Sequence, residues 1–211
     1  MTHDSAPSLL ALHAVRCLGF ADTVMIANRA GIGYDATVEL LRDAERHRWV
    51  RRDAFAGLDG WSLTESGRVE NQRQLADERA GADPDDTVGS VYSDFLPLNA
   101  RFVSACTDWQ LRPTSEDRLA ANDHADAGWD ARVFGELEAL SGALTPLVAR
   151  LTDMLTRFAG YDTRFEAARS RAQGGQNEWV DRSDIDSCHR VWFQLHEDLL
   201  ATLGFDRRTE V

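Results

Sequence analysis

Between Ala21 and Arg68 the spacing of apolar residues changes from helical to extended and back, a pattern that no single regular element accommodates. In the stretch Ala21 to Ala30, Val24, Ile26 and Ala27 fall at near-helical spacing, and Gly31 with Gly33 supplies the backbone freedom of a tight turn. Asp35 stands where it can cap a second helix, whose Val38, Leu41 and Ala44 form an inward stripe and leave Thr37, Leu40 and Asp43 outward. At Trp49 and Val50 the period becomes extended. Arg51 and Arg52 follow, and the loop AFAGLDG closes on Trp61, Ser62 and Leu63 as a hairpin. Thr64, three residues before Gly67, starts an exit helix running to Arg79.

The apolar triad that begins at Val38, then WVRR, then WSLTESGR, resembles the winged helix of the MarR and PadR type transcription regulators, over roughly residues 8 to 80. Leu63, Thr64 and Gly67 match the end of the wing in that family, where its second strand passes into the next helix. The resemblance implies a winged helix-turn-helix with a two-stranded wing, binding double-stranded DNA. The expected DNA contacts are Thr37, Arg42, Arg46, Arg48, Arg51 and Arg52. Two features depart from the family pattern: Arg48 stands where glycine is usual at the end of the recognition helix, and that helix is unusually acidic.

Charge bears on the same stretch. The chain carries a formal net charge of -12, and an acidic protein meets DNA only where its positive charge is concentrated. Residues 1–80 hold 10 arginines against 12 acids, and residues 81–211 hold 13 against 23, so most of the excess lies outside the helix-turn-helix. Arg46, Arg48, Arg51 and Arg52 occupy a window free of acids, where arginine can fork onto phosphate or enter a minor groove. Their other expected use is to pair with Asp43, Glu45 and Asp53 on a solvated surface.

All 23 basic residues are arginine, which excludes Schiff-base lysine chemistry and a Walker-type phosphate loop. There is no GxSxG elbow, Gly-rich nucleotide loop or paired-cysteine motif, so no catalysis, cofactor or metal is expected. Cys17, Cys106 and Cys188 are read as buried free thiols. With 43% hydrophobic residues, no run near the roughly 18 apolar residues of a membrane span, and no basic-then-apolar start, a folded cytoplasmic protein is expected.

Three regions are expected: residues 1–80 as the DNA-binding domain, 81–93 as a polar linker, and 94–211 as an all-helical bundle for dimerisation or effector sensing, in a chain that is mainly α. A helix is predicted over residues 96–110, with Pro97 in its first turn. In residues 128–159, Val133, Leu137, Leu140, Leu144, Leu147, Leu151, Met154 and Phe158 make a heptad seam, read as bundle core, with a kink or break near Pro146. Either way the seam is a candidate subunit interface for a homodimer. Further helices are predicted over residues 163–173 and 183–203.

In the last helix His189 and His196 stand two turns apart, about 10.5 Å, too far to share a metal. Trp109, His124, Trp129, His189, Trp192 and His196 combine apolar walls with polar atoms and are the expected lining of a small-molecule effector site. The expected function is a DNA-binding transcription regulator with no membrane partner. The alternative is a winged-helix adaptor that docks a partner protein through its acidic surface.

Overall fold

The computed structural model describes residues 2–55 and 57–205, without the side chains of Phe55 and Leu58. Among these residues the fold is mainly helical, with eight α-helices and one small antiparallel sheet of three strands. Contacts divide the chain into two units. The first comprises Met1–Val88, Asp153–Arg157 and His196–Val211; the second comprises Gly89–Thr152 and Phe158–Leu195.

In the first unit the order is α1 (Pro7–Leu18), β1 (Phe20–Ala21), α2 (Thr23–Ala30), α3 (Tyr34–Arg46), β2 (Val50–Phe55), β3 (Leu58–Leu63) and α4 (Glu65–Ala82). Asp22 caps α2 by accepting from the Met25 amide at 2.8 Å, and Gly31 ends it in the left-handed region at φ +67°. The expected Asp35 cap is not the one used. Gly33 occupies the cap of α3, and Asp35 lies in the first turn, where its charge complements the helix dipole.

A second correction concerns the face of α3. Thr37 is fully buried, and Thr37, Leu41 and Ala44 form the inward stripe, with Val38 only half-buried. Burial of the hydroxyl is tolerated because Thr37 Oγ1 donates to the Gly33 carbonyl at 3.0 Å.

The sheet order is β1-β3-β2. The β2–β3 hairpin runs from Val50 opposite Leu63 to Phe55 opposite Leu58; Ala56, in the expected loop AFAGLDG, lies outside the described residues. Neither α1 nor β1 was expected as an element. β1 pairs Phe20 with Ser62 and Ala21 with Trp61, and Gly60 permits this, since a Cβ there would stand 2.9 Å from the Ala21 carbonyl oxygen. Leu12, Val15, Ile26, Leu41, Val50 and Trp61 form the core beneath the sheet, and Leu9, Leu75 and Ala201 form a satellite cluster.

Thr64 caps α4 as expected, accepting from the Gly67 amide at 3.0 Å. Of residues 81–93, expected as linker, only 83–86 lie outside helices. The buried Asp83 carboxylate accepts from the amides of Thr87 at 2.6 Å and Val88 at 3.0 Å, which starts a helix where Gly and Pro had suggested a loop.

That helix is α5 (Thr87–Gln110), so Pro97 lies in its interior and not in a first turn. The second unit continues with α6 (Ala127–Thr152), α7 (Tyr161–Gln173) and the first half of α8 (Cys188–Leu203). α6 spans Pro146 without a break, and its seam from Val133 to Leu151 is buried in the chain's own core. Met154 and Phe158 fall beyond the helix, and α8 starts five residues later than expected. Trp192 is the centre of an aromatic cluster, stacked on Phe102 at 4.6 Å and Phe95 at 5.1 Å, with Phe165 tilted against it at 5.4 Å. No helix among the described residues is long and apolar enough to cross a membrane.

Gly67 carries a local constraint. A Cβ at this position would lie 1.8 Å from the Trp49 carbonyl oxygen, which is backbone and cannot swing aside. Gly67→Ala is expected to cost about 3 kcal/mol and lower the melting temperature by roughly 6–12 °C, measured by thermal denaturation followed by circular dichroism.

Candidate functional site

The exposed edge where α3 passes into β2 carries five of the six expected DNA contacts; buried Thr37 is the exception. Four of the five arginines are matched by a nearby acid. Arg42 Nη1 lies 2.9 Å from Glu39, Arg46 Nη2 lies 2.8 Å from Asp43, and Arg51 Nε lies 2.8 Å from Asp53. Arg52 grips Asp59 through two parallel bonds of 2.8 and 2.5 Å, with its guanidinium 5.8 Å from the Trp61 ring centre. That pairing holds the Asp59 carboxyl below its ordinary range and raises Arg52 above its own. All four pairs are exposed, so each contributes little to stability and a phosphate can compete for the guanidinium.

Arg48 is different. Its φ of +61° is left-handed, which costs a residue other than glycine of order 1 kcal/mol. The conformation is imposed from three sides. Its amide donates to Glu45 at 2.8 Å, and its carbonyl accepts from Thr64 Oγ1 at 2.6 Å and Ser66 Oγ at 2.8 Å. Its side chain is exposed and makes no ion pair among the described residues.

Of the six residues expected to line an effector site, five belong to the second unit and one to the first. In the second unit, His124 sits 4.2 Å from the Trp109 ring centre, with its Nδ1 3.0 Å from Asp130, while Trp129 donates to the Asp108 carbonyl at 2.6 Å. Trp192 belongs to the aromatic core and donates to Asn99 Oδ1 at 3.0 Å; His189 lies exposed against Phe102. His196 is buried and belongs to the first unit.

The sequence reading missed a buried ion network in the first unit. Asp198, from the second half of α8, is fully buried and paired with Arg157, with Arg29 Nη2 at 3.2 Å and with His13 Nε2 at 2.9 Å. Arg157 in turn donates to Glu78 at 2.9 Å and Thr202 Oγ1 at 2.8 Å. Burial alone would raise the Asp198 carboxyl, but Arg157, His13 and Arg29 together hold it far below the ordinary carboxylate range.

His13 Nδ1 faces Asn71 Oδ1 at 3.4 Å, so both ring nitrogens meet acceptors, which suits the imidazolium. Burial lowers its pKa, yet the neighbouring Cys17 sulfur and Asp198 carboxylate outweigh that and push it up to about 9. Cys17 Sγ also lies on Nε2, at 3.5 Å, the nitrogen that Asp198 uses. A nucleophilic triad needs the thiol and the carboxylate on opposite ring nitrogens, so this arrangement does not build one. The ligating atoms of His13, Cys17 and Asp198 lie within 4.8 Å of one another, close enough for a metal, but the carboxylate is already committed to two guanidiniums and an imidazole. The pair of His13 and Cys17, four residues apart on one helix, is a sequence signal; the partner at 198 is not.

Comparison of the chain with protein-family models, with curated proteins and with solved structures returned no match.

The raised pKa of His13 fixes the sign of a pH effect. Its contribution is fully present below the unfolded value near 6.5, declines above it, and is lost as pH rises through about 9. Thermal denaturation between pH 6.5 and 9.5 is expected to reveal a loss of about 3 kcal/mol. His13→Gln should be less stable at neutral pH and should lack this alkaline decline; an unchanged decline would assign it to another group.

Proposed function

We propose that the chain is a cytoplasmic transcription regulator, in which residues 1–80 form a winged helix-turn-helix of the MarR and PadR type and bind double-stranded DNA. The observation that carries this reading is the element order α1-β1-α2-α3-β2-β3-α4 with strand order β1-β3-β2, which leaves a helix pair and a hairpin with a shared exposed arginine edge. α2, the turn at Gly31 and α3 correspond to the helix-turn-helix, and the β2–β3 hairpin to the wing. The outer face of α3 carries Asp35, Glu39, Asp43 and Glu45, so the reading assigns the grip to the arginines of the turn and the wing.

On binding, phosphate replaces Asp53 and Asp59 as the partner of Arg51 and Arg52. The helical second unit is assigned to dimerisation and effector response. Because the α6 seam is buried within the chain, a homodimer would use another face. A second reading, an adaptor that docks a partner protein, is favoured by the neutralisation of four arginines and by the net charge of -12.

Fluorescence anisotropy with duplex DNA from upstream of the protein's own reading frame separates the two readings. Affinity is expected to rise steeply as salt falls from 200 to 50 mM, as it does when phosphate contacts release counterions; these concentrations are roughly the range over which such contacts respond. Absence of binding at low salt would leave the adaptor. Arg51→Ala with Arg52→Ala is expected to weaken binding by roughly threefold to tenfold, and Asp59→Asn, which frees Arg52, to strengthen it.

A further inference from the structure

We infer that Arg48 is the principal phosphate contact of this surface, a guanidinium presented to the DNA backbone by a turn held in a strained conformation. This rests on the DNA-binding reading above and adds to it which arginine supplies most of the affinity.

The backbone argument comes first. At φ +61° glycine is accommodated without steric conflict, whereas an arginine is strained. The turn has no freedom to relax that strain. Thr64 Oγ1 and Ser66 Oγ both donate to the Arg48 carbonyl, and the next carbonyl, that of Trp49, is packed so closely on Gly67 that even a methyl group would collide with it. Nor does folding use the side chain, which is exposed and has no hydrogen bond, ion pair or ring contact among the described residues. A strained position whose side chain serves no internal contact points to a role outside the chain.

The electrostatic argument is independent. Arg42, Arg46, Arg51 and Arg52 each hold a carboxylate, so contact with phosphate exchanges one anion for another and leaves an acid without its partner. Arg48 makes no such exchange. Its contact with phosphate is a new charge-assisted pair, formed with full release of the counterion condensed on that phosphate. The arginine that begins unpaired therefore contributes most to affinity and most to its salt dependence.

The test compares the whole protein with Arg48→Gly and Arg48→Lys, using anisotropy on the same labelled duplex at several salt concentrations together with thermal denaturation. Arg48→Gly is expected to weaken binding roughly tenfold and to reduce the slope of log affinity against log salt by about one. It should also melt roughly 2–4 °C higher, because the strain is removed. Arg48→Lys keeps both charge and strain and should retain most of the affinity, with an unchanged melting temperature. If Arg48→Gly binds with unaltered affinity and slope while the wild type binds, this inference falls and the DNA-binding reading stands. A lower melting temperature for Arg48→Gly also overturns it, since the side chain would then serve the fold. If the wild type binds no duplex at low salt, both fall.

Discussion

A single buried carboxylate, that of Asp198, holds together segments of the first unit that lie far apart in sequence. Its partners come from α1 (His13), α2 (Arg29) and the segment Asp153–Arg157 (Arg157), while Asp198 itself lies on α8. A charge removed from water must be matched, and here the match requires all four segments at once. Arg157 extends the demand to α4 through Glu78 and back to α8 through Thr202. Removing one member leaves an uncompensated charge in the interior, at a cost of several kcal/mol. The satellite cluster of Leu9, Leu75 and Ala201 lies on the same helices, α1, α4 and α8, so apolar packing and ion pairing enforce one arrangement.

That frame positions the exposed edge of α3 and the hairpin. The inward stripe of Thr37, Leu41 and Ala44 sets the rotation of α3, and the hydroxyls of Thr64 and Ser66 join the start of α4 to the turn at Arg48. The surface that results combines abundant positive charge with local neutralisation. Arginines 42, 46, 51 and 52 are each quenched by an acid three residues away on the helix, or by one on the hairpin itself. Counting basic residues along the chain therefore overstates the positive potential available to a polyanion, and the pairing geometry decides which guanidinium remains available.

Several elements were legible because their signals are local. Gly31 ends α2, Thr64 caps α4, and Gly174 and Gly204 end the last two helices, all through contacts within a few residues. The departures have non-local causes or depend on a small rotation. Thr37 was placed outward because the inward stripe was drawn through Val38, Leu41 and Ala44, but its hydroxyl returns to the Gly33 carbonyl and the residue is buried. The start of α5 was read as linker because the stretch is polar, acidic and punctuated by Gly and Pro, while the Asp83 cap outweighs them. β1 is two residues long and exists only because β3 offers it an edge.

From the sequence alone came the mainly helical class, the order of two helices, a hairpin and a further helix, and the window of arginines, since each depends on periodicity, turn chemistry or composition over short spans. Tertiary structure alone decided that α6 directs its heptad seam into its own core, that Trp192 stacks on Phe102 while His124 pairs with Asp130, and that Asp198 meets His13, Arg29 and Arg157. It also decided that Arg48 adopts a left-handed conformation with a guanidinium unpaired among the described residues while its neighbours are neutralised. The physical reason is common to all of these: which charges meet and which faces are buried depends on contacts between residues far apart along the chain, and local spacing carries no record of them.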